Sequence, residues 1–372
     1  MATPLCPYFG TCGGCSTQHL DYALQLENKR SLLEREIGFK DIQVFSGEPY
    51  FYRNRMDMVF HSGGLGFRKK GDWKKVVPVE QCVISNPRLN TLIREITDFF
   101  KGTTIDAFDT VKRVGTFSHA IIRTPGEDSA IAFVLNKDST RVGEAVSRVE
   151  AFAKITSARS VLVVYIASNM GADISDDYFV VKGTDALQVS YLGKTFTASA
   201  LGFFQVNDVM AEKMQTYVHK LLKKYDTSGA YLLDLYGGVG TFGIINAPLF
   251  KWVTVVESVP SCIEAAKKNA EANGVKNLNA VALDAKRLKN LTFQQPLFVI
   301  NDPPRSGMHP KTIEELKKLK PEVLIYISCN VEQLGKDLPK FRDYHLKSAA
   351  LFDLFPQTNH MESVVEMVLR GV

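Results

Sequence analysis

From about residue 228 the chain alternates short apolar runs with longer stretches of helical periodicity. Apolar runs stand at 230–235, 252–256, 278–283, 297–300 and 323–327, with helix-like segments between several of them. The clearest of these, 260–273, ends at Gly274, the residue type that commonly closes a helix. Strands separated by helices read as a parallel, doubly wound sheet. Two closing runs, 348–354 and 363–369, bring its expected strand number to seven. The front half reads differently: alternating segments at 117–122, 129–135 and 160–166 predict antiparallel strands of an α+β unit, and a Gly63-Gly64 turn predicts a hairpin. The expected division is 1–190 and 191–372, with no Pro/Ser-rich linker at the boundary and no internal repeat.

Composition narrows the class. The chain has 372 residues, 45% of them apolar and 23% charged, which suits two soluble globular domains and argues against disorder. No apolar run approaches a membrane span, and the first ten residues lack the charged-then-apolar order of a secretion signal, so a cytoplasmic monomer without membrane contact is expected. The net charge of +5 is unevenly spread. Between Arg53 and Lys75 lie seven basic residues against Asp57 and Asp72, interleaved with Phe60, Phe67 and Trp73. Cations suit phosphates and aromatic faces suit unstacked bases, although a solvated lysine-rich hairpin accounts for the same residues.

Cysteines carry the first chemical signal. Cys6, Cys12 and Cys15 crowd the first fifteen residues, and Cys82 is the remaining cysteine of the front half. A reducing compartment disfavours disulfides, so metal ligation explains the clustering better. Four thiolates suit a 4Fe-4S cluster or structural zinc, and the spacing separates the two only weakly, in favour of the cluster. Cys262, on the helix after the second strand, reads as packing. Cys329 differs: it follows the apolar run 323–327, at the carboxyl end of a strand, where open α/β sheets place reactive groups. It is a candidate nucleophile, with a small core hydrophobe as the alternative.

The first strand of the sheet runs into Asp234-Leu235-Tyr236-Gly237-Gly238-Val239-Gly240-Thr241, a glycine turn that lets backbone approach a nucleotide-like ligand. Glu257 ends the second strand, where an acid can accept from ribose hydroxyls, and Asp284 ends the third, placed to meet an adenine. With Asp302-Pro303-Pro304 after the fourth, this order looks like an S-adenosylmethionine methyltransferase; a dinucleotide dehydrogenase shares the glycine turn but not the Asp-Pro-Pro.

Five ordered motifs then make a specific resemblance: Gly202-Phe203-Phe204-Gln205-Val206-Asn207, the glycine turn, Asp302-Pro303-Pro304-Arg305, Ser328-Cys329-Asn330, and Phe355-Pro356-Gln357-Thr358-Asn359-His360-Met361-Glu362. Together they resemble the RNA (uracil-5-)-methyltransferase family, with Gly237 standing where many members carry cysteine. The resemblance implies a C-terminal Rossmann-like methyltransferase domain with a seven-stranded, mostly parallel sheet behind an iron-sulfur-bearing α+β RNA-binding domain. It implies Cys329 as the nucleophile that adds to C6 of uracil and Glu362 as the base that removes the C5 proton. Cofactor contacts carried over are Gln205, Tyr236, Thr241, Glu257, Asp284 and Asp302. A cysteine group without room for a TRAM barrel resembles the branch acting on uridine-747 of 23S rRNA, with a T-loop uridine of tRNA as the alternative substrate. A non-catalytic RNA-binding module and an N- or O-methyltransferase are the rival classes; two retained reactive residues speak against the first and a cysteine nucleophile against the second.

Overall fold

The computed structural model describes residues 1–102, 104–169 and 175–371. Its first large sheet has seven strands, in the order Asp72–Pro78, Gly64–Lys69, Arg55–His61, Phe117–Arg123, Ala130–Asn136, Ser160–Ile166 and Tyr178–Lys182. The Gly63-Gly64 turn forms as expected, with His61 opposite Gly64. One pairing departs from the antiparallel expectation: Ala130–Asn136 and Ser160–Ile166 run parallel. The helix Val142–Ala153 lies between them in sequence, and a crossover of that length returns the chain in the same direction.

Both faces of this sheet are covered. The helix Pro87–Phe100 is capped by Asn86, whose side chain accepts from the Leu89 N–H, and turns Leu89, Leu92, Ile93, Ile96 and Phe100 inward. These residues join Phe60, Phe117, Phe133 and Phe152 in one core. On the opposite face Ile121, Val134, Leu162 and Val164 pack against Leu187 and Leu201. The hairpin Ala186–Tyr191 and Lys194–Ser199 thus bridges toward the second sheet.

That second sheet has eight strands: Ile42–Phe45, Tyr344–Phe352, Glu362–Leu369, Val323–Ser328, Leu297–Asn301, Tyr231–Leu235, Trp252–Glu257 and Leu278–Ala282. All neighbours run parallel except Glu362–Leu369, which is antiparallel to both of its partners. The expected count of seven is short by Ile42–Phe45, which pairs along Ala349–Phe352 from the far end of the sequence. The helix Tyr22–Ile37 follows it onto this sheet through Leu33. Gly335 shows how closely that helix approaches its neighbour, since a Cβ there would lie 2.5 Å from the Glu36 carbonyl oxygen. The front segment therefore completes the rear sheet. Central strands such as Val323–Ser328 are buried at every position, the pattern of a parallel sheet covered on both faces. No helix among the described residues is long and apolar enough to cross a membrane.

Candidate active site

The carboxyl ends of the parallel strands share one edge, where Leu235, Glu257, Asn301 and Ser328 finish their runs. The single antiparallel strand enters this edge from the opposite direction. Ser363 pairs with Ser328 in register, and the Ser363 hydroxyl donates to the Ser328 carbonyl at 3.0 Å. Cys329, one residue past the end of its strand, and Glu362, the first residue of the next, are thereby brought together. Both line a cavity of about 560 Å³, along with Arg305, Gln205, Phe203, Thr358 and His360.

The electrostatics of this end are acidic and desolvated. Burial pushes the Cys329 thiol up to about 11, with the Glu362 and Asp302 charges adding to it and Arg305 opposing. Burial, then the Asp302 charge, raises Glu362 well above the ordinary carboxylate range. Asp302 is itself raised to about 7 by burial and by Asp234. Two acids beside a thiol favour protonated forms, and a positive group among them would favour the charged ones. Arg305 is held from behind: the Asn330 side chain donates to its carbonyl at 3.0 Å while capping the helix Val331–Asp337. Its guanidinium stands 3.4 Å from His360 Nδ1.

The glycine turn takes the conformation its composition allows. Tyr236, Gly238 and Gly240 all have positive φ, at 60°, 53° and 84°. At Gly237 a Cβ would lie 2.6 Å from Val255 Cγ1 and 2.9 Å from the Asp234 carboxylate, so this chain has filled with Val255 the space a larger residue would take. Asp234 is fully buried, accepts from the Gly243 N–H at 2.8 Å through Oδ2, and leaves Oδ1 unpartnered. The side-chain amide of Asn301, on the adjacent strand, is likewise buried with neither polar atom partnered. Orphaned polar atoms at a glycine turn fit a polar ligand that completes their hydrogen bonds, and S-adenosylmethionine has the groups to do so. Glu257 folds back on its own turn, with Oε1 accepting from Ser258 and Val259 N–H groups. Asp284 accepts from the Lys286 N–H, which holds its carboxyl below the usual range. Thr241 accepts from Gln215 at 3.4 Å. Of the six residues expected at the cofactor, Gln205 lines the cavity, whereas Tyr236, Thr241, Glu257, Asp284 and Asp302 stand along the strand edge outside its lining. Asp234 and Asn301 were not among those expectations; a polar residue inside an otherwise apolar strand was their only signal. Phe204 packs in the core, while Phe203 is 75% exposed at the cavity. Cys262 is half-buried rather than enclosed.

The other end of the same cavity is lined by Cys6, Cys12, Cys15 and Cys82. Their backbone is fastened to the basic hairpin and the helix behind it: the Gly13 N–H donates to the Arg68 carbonyl, the Lys70 N–H to the Thr11 carbonyl, and Cys82 exchanges hydrogen bonds with the Asn90 side chain. Burial raises the thiols of Cys6, Cys12 and Cys15, the last to about 11, and the charges of neighbouring cysteines add to each. Four thiols that repel one another as thiolates fit a bound cation that would offset that repulsion. The ready-made four-ligand centre expected from sequence is not there, however: among the described residues no three His, Cys, Asp or Glu side chains form a preformed site for a metal ion.

An open α/β sheet with a glycine turn at the carboxyl end of its strand Tyr231–Leu235 has the architecture of an S-adenosylmethionine-dependent methyltransferase. The chain belongs to the tRNA (uracil-5-)-methyltransferase family, whose model matches residues 21–370, and is an RNA uracil-C5 methyltransferase. It is 32% identical to an uncharacterized RNA methyltransferase of Caldanaerobacter subterraneus, over 96% of this chain and 83% of the relative. It is 31% identical to the tRNA (uracil(54)-C(5))-methyltransferase of Pyrococcus abyssi, over 98% of this chain and 86% of that one. The crystal structure of a P. abyssi tRNA (uracil-54, C5)-methyltransferase in complex with S-adenosyl-L-homocysteine superposes with a TM-score of 0.80 at 28% identity, covering 96% of this chain and 86% of that chain.

Proposed function

We propose that this enzyme methylates C5 of a uridine in tRNA, in the cytoplasm and as a monomer, with Cys329 as nucleophile and Glu362 as general base. The observation that carries the reading is the antiparallel register of Ser328 with Ser363, which puts these two side chains in one cavity. Cys329 gives up its proton and forms a bond from sulfur to C6, which pushes electron density onto C5. S-adenosylmethionine would supply the methyl group to C5 and depart as the neutral thioether S-adenosylhomocysteine, and while bound its positive sulfonium would favour ionised Asp302 and Glu362. Glu362 then takes the C5 proton, the sulfur–C6 bond breaks, and the thiolate leaves as the ring double bond returns. A base whose affinity for protons is raised by burial suits that abstraction. Gln205, Tyr236, Thr241, Glu257, Asp284 and Asp302 hold the cofactor, together with Asp234 and Asn301.

The tRNA substrate is supported by the Pyrococcus relatives, which are tRNA (uracil(54)-C(5))-methyltransferases, and it replaces the 23S rRNA that the sequence favours. The front unit supplies the RNA surface, and the hairpin Gly64–Lys69 and Asp72–Pro78 lies beside the cysteines with Trp73 exposed. Cys6, Cys12, Cys15 and Cys82 are the residues that would hold a 4Fe-4S cluster, which would stiffen this segment; iron and sulfide analysis of anaerobically purified protein tests it, and zinc in their place would remove the assignment. The substrate test is transfer of labelled methyl to unmodified tRNA and to 23S rRNA fragments, with the product nucleoside identified. 5-Methyluridine in tRNA alone is expected. Product in the rRNA fragment alone would move the substrate, and no 5-methyluridine in either would overturn the reading.

A further inference from the structure

The helix Tyr22–Ile37 buries an odd stripe: its enclosed positions, one turn apart, are Gln25, Lys29 and Leu33. Two long polar side chains in place of apolar ones cost desolvation unless each is fully engaged. Both are engaged by the loop that precedes Glu362. Lys29 Nζ lies 2.6 Å from Asp353, which is wholly buried and also accepts from the Tyr22 hydroxyl at 2.9 Å. Lys29 also donates to the Phe355 carbonyl at 3.2 Å.

Gln25 grips Gln357. The Gln357 N–H donates to Gln25 Oε1 at 3.1 Å, and Gln25 Nε2 donates to Gln357 Oε1 at 3.0 Å. The Gln357 carbonyl accepts from the N–H groups of Ser16 and Thr17, the two residues after Cys15. Gln357 has a φ of 67°, left-handed backbone that a side chain as large as glutamine rarely adopts. Such a conformation persists only where its surroundings over-determine it, and such places cluster at functional sites. Here the surroundings come from the far end of the sequence, and five residues downstream of Gln357 the loop delivers Glu362.

We infer that Gln25 and Lys29 are positioning residues for Glu362: they clamp the loop Asp353 to Met361 so that the carboxyl group stands beside Cys329. This rests on the roles given above to Cys329 and Glu362. Through Ser16 and Thr17 the clamp makes the cysteine segment and the base-bearing loop one hydrogen-bonded unit. Its failure has a chemical signature, because a displaced base leaves addition and methyl transfer intact and stalls only the removal of the C5 proton.

The test is single-turnover methylation of tRNA by Gln25→Ala, with Glu362→Gln as the reference for a disabled base. Gln25→Ala is expected to release methylated RNA about 100-fold more slowly, the scale of an ångström of misplacement, while a methyl-labelled covalent RNA adduct accumulates on denaturing gels. Affinity for S-adenosylmethionine is expected to stay unchanged. Gln357→Gly keeps the positive φ without steric cost and removes only the side-chain grip; it serves as the second variant if Gln25→Ala does not fold, and is expected to accumulate the same adduct. Adduct in Glu362→Gln but in neither clamp variant would overturn the positioning role alone. No adduct in Glu362→Gln would overturn the base assignment and this inference with it.

Discussion

The two ends of the cavity hold thiols in opposite ways. Cys329 follows a strand buried at every position, and its partner Glu362 is fixed by ladder pairing that extends from Ser328–Ser363 to Val323–Val368. Cys6, Cys12 and Cys15 sit on a segment without helix or strand of its own, fastened by a few backbone hydrogen bonds to the hairpin and, after Cys15, to Gln357. Sheet register brings Cys329 and Glu362 to one edge, because a slip would turn a whole buried strand to the wrong face, and the loop before Glu362 has only to set the final placement of its carboxyl group. A loop has no such safeguard, so thiols carried on one need a bridging centre or a clamp to hold their arrangement. The difference teaches that the chemistry is anchored in the sheet and the adjustable contacts lie at the cysteine end.

Removing the proposed nucleophile should separate the ends most sharply. Cys329→Ala is expected to lower methyl transfer by about 10,000-fold or more, the scale seen when a covalent nucleophile is deleted, with cofactor affinity and melting temperature unchanged. Substantial residual 5-methyluridine would refute its role. The acid surroundings of Cys329 come next. Its thiol is raised to about 11 by burial, Glu362 and Asp302, so the reactive thiolate is scarce near neutrality and grows with pH. The rate of adduct formation should climb about tenfold per pH unit between roughly pH 7 and 9, since the thiolate fraction does so below the thiol's pKa. Glu362→Gln removes one of the charges that raise the thiol and should shift this profile to lower pH; an unmoved profile would show that another group limits the step. The hairpin should give the smallest effect. Replacing Lys69, Lys70 and Lys74 with alanine is expected to weaken tRNA binding uniformly and to reduce the slope of log affinity against log salt by about 2–3, with the single-turnover rate at saturation unchanged. An unaltered salt slope would take the hairpin out of the RNA interface.

Most of the rear sheet was legible because its strands are long apolar runs punctuated by helix signals. Ile42–Phe45 was not: four residues with a single buried side chain carry too little pattern, and what makes them a strand is an edge built from residues 349–352. The parallel pairing of Ala130–Asn136 with Ser160–Ile166 was hidden for a related reason, since alternation reveals a strand but not its direction. At the site, motif order singled out Cys329 and Glu362, yet only the antiparallel register shows that they meet. Gln25 and Lys29 were invisible as inward residues, because polar side chains on a helix read as its solvated face. Asp234 and Asn301 are polar residues inside apolar strands, and only their unpartnered buried atoms give them work to do.

The strand Ile42–Phe45 has a bearing on how the polypeptide is made. It leaves the ribosome long before the segment it must lie against, Ala349–Phe352. Throughout elongation the helix Tyr22–Ile37, with Gln25 and Lys29, has no counterpart to hold. Contacts so distant in sequence form late and slowly. The cysteines before that helix therefore wait outside their finished setting until the segment 349–357 emerges, and its arrival closes the sheet and seats residues 16–29 in one event.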